Sequence, residues 1–268
     1  MTSAQVTVEQ NKRAWNEVAA RHAAQNFTHT GTNLRTRPGF YIDPVFRDCL
    51  KALPLKGSTL AQFNCNNGRE LISAIQLGAQ AGIGFDFSFA FVEQARTLAE
   101  AAGVAAKFVE TDIYEMPAAY HAAADILFLT AGALCWMPDL RRYFETAHHV
   151  LRSGGTLILY ETHPFLEMFK PDRDRIEGEA LNLHYPYFMD APVAWGSGLD
   201  YYGQKKYGEE IVYWYHHTLS AIMQAILDAG FAIRQFAEFN HDNSIGYREV
   251  EAFAIRPPMS FVLRADRV

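Results

Sequence analysis

A chain of 268 residues, 49% hydrophobic and 20% charged, can bury one sizeable core, so a single α/β domain with an insertion accounts for it better than two domains. A net charge of -6, with no lysine or arginine run longer than pairs such as Arg141-Arg142 and Lys205-Lys206, argues against a partner gripped through a polyphosphate backbone. Three widely spaced cysteines suggest neither a disulfide framework nor a zinc site, and a polar N-terminus without any bilayer-length apolar run leads us to expect a cytoplasmic protein with no membrane contact.

Residues 8–26 carry Trp15, Val18, Ala19 and His22 at helical spacing and predict an amphipathic helix. Residues 27–40, rich in Thr, Gly and Asn, read as a loop, and 43–52 as a short second helix. The stretch 59–89 says most. An apolar run, 60–63, enters a polar turn at 65–68, and a helical pattern starts at Arg69 with Leu71, Ile72 and Ile75 on one face. The helix runs out at Gly78, a second apolar run covers 81–85, and Asp86 stands at its end. This is a βαβ unit with a carboxylate about twenty residues after its turn, the spacing at which an acid accepts hydrogen bonds from a ribose diol. The turn and the helix N-terminus receive the rest of such a ligand, so a nucleoside derivative is expected. A dinucleotide site needs several glycines so that backbone N–H groups reach a pyrophosphate. Here Asn64, Asn66 and Asn67 fill most of the turn and only Gly68 remains. S-adenosylmethionine has no phosphate, and side-chain amides and backbone groups can satisfy its ammonium and carboxylate.

Ser88 then serves as N-cap of a helix running to Ala102 and stopped by Gly103. A third strand is expected at 105–109, with Asp112 just past it, and a fourth at 125–129, apolar on both faces as a central parallel strand should be. The segment 130–136 leaves the carboxyl end of that strand, where ligands of open parallel sheets lie. Pro138 opens a helix with Leu140, Tyr143, Phe144, Ala147 and Leu151, closed by Gly154-Gly155. A fifth strand, 156–160, delivers Glu161, Thr162 and His163 to the same edge. From 185 to 215, ten of thirty-one residues are Tyr, Trp or Phe, more than twice the chain-wide 13%, and interspersed Pro and Gly favour a pair of short strands with loops. A last helix, 218–229, and two strands, 231–239 and 259–264, complete the chain.

This series resembles the class I S-adenosylmethionine-dependent methyltransferases, whose first motif is a hydrophobic strand followed by acid-x-Gly-x-Gly-x-Gly. In register, Gln62 stands at the acidic position, Asn64 and Asn66 at the first two glycines, and Gly68 at the third. The likeness covers roughly 59–163, with DILFL and LILYETHP matching later motifs. Trp15-Asn16 followed by His22-Ala23 resembles the N-terminal segment of a bacterial group of these enzymes, in which N-terminal helices fold over the cofactor. The resemblance implies a Rossmann-like fold with a mostly parallel seven-stranded sheet and an antiparallel last strand. Residues 1–55 would form a helical cap, 56–163 the cofactor-binding core, 164–217 an aromatic acceptor-site insertion and 218–268 the closing helix and strands.

On the same basis the cofactor is expected to meet Trp15, His22, Phe63, Asn64, Asn66, Gly68, Asp86, Phe87, Ser88 and Thr130, with Asp112 on the adenine amino group and Ile113 on its ring. The product is S-adenosylhomocysteine. The Asn/Asp-Pro-Pro-aromatic tetrad of enzymes that methylate nucleobase nitrogens does not follow the fourth strand here. The expected reaction is therefore methyl transfer to an O, N or S atom of a small aromatic or heterocyclic metabolite, with neither nucleic acid nor metal involved. A general base, where the acceptor must lose a proton, is sought first at His163 and then at His216 and His217. Two other readings stay open. The altered first motif could mark a protein that binds S-adenosylmethionine without catalysis, whereas an NAD-type oxidoreductase is disfavoured by the missing glycines and the closing strand pair.

Overall fold

The computed structural model describes residues 3–175, 180–196, 198–200, 210–244, 246–254 and 256–268. Helix α1 (Ser3–Thr36) and helix α2 (Pro44–Lys51) precede β1 (Thr59–Phe63), α3 (Arg69–Ile75), β2 (Ala81–Asp86), α4 (Phe89–Ala102) and β3 (Ala106–Glu110). Then come β4 (Ala124–Thr130), α5 (Leu140–Val150), β5 (Leu151–Thr162), the short pair β6 (Val193–Trp195) and β7 (Val212–Trp214), α6 (Leu219–Asp228), β8 (Phe231–Phe239) and β9 (Ser260–Arg267). Seven strands form one sheet in the order β3-β2-β1-β4-β5-β9-β8. All run parallel except β9, which pairs antiparallel with both of its neighbours. This is the Rossmann-like sheet with an antiparallel final strand that the sequence predicts.

Because successive side chains on a strand point to opposite faces, the central strands feed two cores at once. Ala61, Leu127, Leu129, Leu157, Leu159 and Leu263 face α5 and α6, whereas Leu60, Ile126, Phe128, Ile158, Tyr160 and Val262 face α2, α3 and α4. Both layers are needed to bury strands that are apolar throughout. No described helix is long and apolar enough to cross a membrane.

Three expectations are corrected. The loop expected at 27–40 is helical as far as Thr36. Thr30, Asn33 and Leu34 are buried, Gly31 lets Leu98 of α4 approach to within 3.6 Å of where a Cβ would stand, and the Thr32 and Thr36 hydroxyls bond carbonyls one turn back. Packing on α4 overrides the poor helix propensity of the segment. Secondly, Gly154-Gly155 does not close α5, which ends at Val150 as the chain passes straight into β5. A Cβ on Gly155 would meet Arg152 O at 2.8 Å and Asp125 O at 3.0 Å, so this glycine permits a close crossing beside the register shift between β4 and β5. Thirdly, Asp139 rather than Pro138 begins α5, its carboxylate accepting from Arg142 N.

The expected strand pair in the insertion is β6–β7, antiparallel, and α1 clasps it. The Asn11 side chain exchanges two hydrogen bonds of 2.8 Å with the backbone of Tyr213, and Thr7 meets the Tyr215 hydroxyl at 2.6 Å. Tyr201, Tyr202 and Tyr207, part of the aromatic run, lie outside the described residues.

Candidate functional site

The strand order reverses between β1 and β4, and the turn after β1 opens at that switch point. Three of its residues adopt positive φ: Asn64 at 51°, Asn66 at 50° and Gly68 at 71°. Asparagine tolerates this region better than other residues with a Cβ, because its short amide bonds locally. Asn64 Oδ1 accepts from the Tyr143 hydroxyl at 2.5 Å, and Asn66 Oδ1 accepts from Asn67 N at 2.8 Å. Only at position 68 is a side chain impossible, since a Cβ would lie 2.4 Å from the Phe108 ring. The asparagines thus supply the backbone shape of the two missing glycines, and the one glycine retained sits where space demands it.

Asp86 closes the unit. Its two carboxylate oxygens accept from Asn66 N at 2.8 Å and Ser88 N at 2.9 Å, tying the turn to the end of β2. Burial outweighs these donors and pushes its carboxyl up to about 6. The Phe87 backbone also favours the ionised carboxylate, which still has acceptor capacity for one more donor. Ser88, the N-cap of α4, donates through Oγ to Asn16 Oδ1 at 2.7 Å, and the same oxygen accepts from Ala90 N at 3.3 Å, so α1 is seated on the start of α4. Trp15 beside it packs edge-on against Phe91, at 5.9 Å between centroids, and Trp136, at 5.3 Å. His22 is buried against Phe91, with Nε2 3.2 Å from Leu199 O, and so joins α1 to the insertion. Phe87 is half-buried between Asp86 and Ser88.

Not every expected contact presents a side chain. The Phe63 ring is wholly buried between Phe85 and Tyr143, so only its backbone is available to a ligand. Asp112 caps a short 3₁₀ turn, accepting from Tyr114 N at 2.9 Å, and burial raises its carboxyl. Ile113 beside it is 4% exposed. At the ends of β1 and β4, the Thr130 hydroxyl donates to Glu70 Oε2 and Gln62 Nε2 donates to the same oxygen at 3.0 Å. Gln62 Oε1 is buried without a hydrogen-bond partner among the described residues. Glu70 escaped the sequence reading, although its place in the first turn of α3 is the signal that could have marked it.

A second cluster lies beyond β4 and β5. Glu161, at the end of β5, accepts from the backbone N–H groups of Gly132, Ala133 and Leu134 at 2.8 to 2.9 Å and so fixes the segment leaving β4. A small pocket beside it is lined by Cys135, Thr162, Glu167, Tyr215 and His217, among others. His217 donates through Nε2 to Met137 O at 2.8 Å, and burial lowers its basicity, leaving a neutral ring near pH 7. His216 Nδ1 lies 3.1 Å from Glu167 Oε2, a distance for an ion pair without hydrogen-bond alignment. His163 is not among the pocket's lining residues. Its Nδ1 accepts from Phe165 N at 3.0 Å, its Nε2 is 3.0 Å from Glu238 Oε1, and its ring lies against Phe261. Glu167 carried no sequence signal, because its meeting with His216 is made by the fold alone.

This sheet order, with its antiparallel β9 and the turn at the β1–β4 switch point, defines the class I methyltransferase fold. The chain superposes on an S-adenosylmethionine-dependent methyltransferase from Mesorhizobium loti with a TM-score of 0.59 and 22% identity, over 82% of this chain and 96% of that one. Against geranyl diphosphate C-methyltransferase from Streptomyces coelicolor, whose crystal structure contains S-adenosyl-L-homocysteine, the TM-score is 0.55 at 13% identity, over 83% and 77% of the two chains. An uncharacterized protein of Haemophilus influenzae is 26% identical over 221 residues, 80% of this chain and 83% of that protein. Residues 62–155 match the methyltransferase-domain family, and the sheet around them has the fold of the S-adenosylmethionine-dependent methyltransferases on which the chain superposes. The residues present are chemically compatible with such a cofactor: Asp86 at the end of β2 and Asp112 just past β3 offer carboxylate acceptors, and Gln62 Oε1 is a buried acceptor with no partner among the described residues.

Proposed function

We propose that this protein transfers the methyl group of S-adenosylmethionine to an O, N or S atom of a small, planar acceptor held between the β4–β5 edge and the insertion. The pocket bounded by Cys135, Glu167, Tyr215 and His217 carries the reading, because it adjoins the carboxyl ends of β4 and β5 and mixes apolar wall with polar groups. Tyr185, Tyr187 and Trp214 cluster behind it around His184 and His216, at centroid distances of 4.5 to 6.4 Å. When bound, the cofactor supplies an activated methyl group and leaves as S-adenosylhomocysteine. The acceptor's lone pair forms the new bond as the carbon–sulfur bond breaks, and the protein's part is to hold the acceptor about 3 to 3.5 Å from the methyl carbon.

A proton released by the acceptor needs a base. His217 serves as that base in this reading, because it lines the pocket, its Nε2 is anchored on Met137 O and burial lowers its basicity. Glu167 with His216 forms a neighbouring carboxylate–imidazole pair, whereas both nitrogens of His163 face groups of the protein.

The test begins with calorimetric titration of S-adenosylmethionine and S-adenosylhomocysteine, followed by measurement of S-adenosylhomocysteine release against a fractionated metabolite extract. Binding with turnover is the expected result; binding with no turnover on any fraction would favour a sensor, and no binding would end the reading. With an acceptor in hand, His217→Ala is expected to lower kcat at least about a hundredfold while cofactor binding stays normal. Should His163→Ala lose activity in its place, the base lies just after β5 and not beside the last helix.

A further inference from the structure

The sheet edge holds a carboxylate that no described side chain neutralises. Glu70 receives two neutral donors on Oε2, the Gln62 amide and the Thr130 hydroxyl, and no described lysine, arginine or histidine stands within ion-pair distance of it. Next to it the same Gln62 amide carries Oε1, which is buried and bonded to nothing among the described residues, in a side chain only 1% exposed. A buried acceptor without a donor is costly, and the half-buried Glu70 carboxylate beside it has no cation among the described residues. One ligand group answers both: a primary ammonium, which carries one positive charge and three N–H donors.

We infer that Glu70, with Gln62 Oε1, forms the seat for the ammonium of the cofactor's amino-acid end. The inference rests on the reading of the chain as an S-adenosylmethionine-binding enzyme and assigns a charge to a place outside the first motif. Gln62 occupies the position at which the resembling motif has an acid, and a glutamine there is neutral. Glu70 restores the lost charge from the first turn of α3, across the turn from β1. Thr130 fixes the carboxylate from β4, and the Gln62 amide bridges it to Thr130, with Nε2 3.3 Å from the threonine Oγ1. Three elements thereby hold one charge at the switch point.

The test compares two ligands that differ in this group. S-adenosylhomocysteine carries the amino-acid end; 5′-methylthioadenosine keeps the nucleoside and sulfur and lacks it. Isothermal titration of the whole protein is expected to show Glu70→Gln weakening S-adenosylhomocysteine roughly 10- to 100-fold while 5′-methylthioadenosine binds within about twofold of wild type. Gln62→Glu combined with Glu70→Gln moves the charge back to β1 and is expected to recover most of the loss; it also carries the test where the single variant does not fold. Equal weakening of both ligands would show a merely structural role and overturn the assignment, as would an unchanged S-adenosylhomocysteine affinity. Wild-type protein that binds neither ligand would instead remove the cofactor reading itself.

Discussion

Gly84 lies where β2 passes beneath the turn, and a Cβ there would stand 2.5 Å from the Phe108 ring and 2.8 Å from Cys65 Sγ. Gly84→Ala is expected to cost about 1 to 3 kcal/mol through overpacking, read as a lower urea midpoint with an unchanged slope. An unchanged midpoint would mean that Phe108 can move aside. Charge burial gives a second prediction. Glu161 is raised from 4.5 to about 7 because burial outweighs its backbone donors, and Asp86 is raised from 3.8 to about 6. The folded state therefore keeps protons that the unfolded chain has already released, so the stability these two groups contribute is fully present below the ordinary carboxylate range and is lost as pH climbs through their folded values. Each group contributes at most about 1.4 kcal/mol per pH unit. Melting temperatures from pH 4.5 to 7.5 should fall less steeply for Glu161→Gln than for wild type; parallel curves would contradict the assignment. At this scale the sequence was partly legible. The place of Asp86 at the end of β2 could be read from spacing, while Glu70 and Glu167 meet partners that only the fold brings to them.

At the scale of elements, the strands and the βαβ unit could be read because period-two runs and glycine punctuation are local signals. The long α1 could not, because its last turns are held by α4 and not by their own propensities. Gly154-Gly155 misled for a related reason: a glycine pair after a helix reads as a stop, whereas here the carbonyls of Arg152 and Asp125 demand the missing Cβ. The seat of α1 on α4 yields a prediction. Asn16 Oδ1 takes the Ser88 hydroxyl and Ala90 N, so Asn16→Ala leaves an α4 N-terminal donor without its partner. A loss of about 0.5 to 2 kcal/mol is expected, with faster proteolysis confined to α1. Cleavage elsewhere at the same accelerated rate would show that α1 and the sheet open as one unit.

For the whole molecule, a net charge of -6 and the absence of a basic run predict that the protein will not stay on a DNA or RNA column above about 0.15 M salt, and retention there would reopen the choice of acceptor. The fold class was legible in the order of elements along the chain. The acceptor was not, since the pocket proposed for it is assembled from β5, the segment after β4 and the distant insertion. The clasp between Asn11 and Tyr213 has a kinetic consequence. The helix that seats beside Ser88 is tied to the strand leading to His216 and His217, so on the proposed reading the segments beside cofactor and acceptor are expected to move together. Two ligands behind a cover that moves in this way are expected to enter in order, the deeper one first. Initial-rate studies should therefore show compulsory-order turnover, with the cofactor binding before the acceptor and S-adenosylhomocysteine leaving last. Asn11→Ala should loosen that order toward random, and a wild-type enzyme that already binds its substrates at random would show that the clasp does not govern entry.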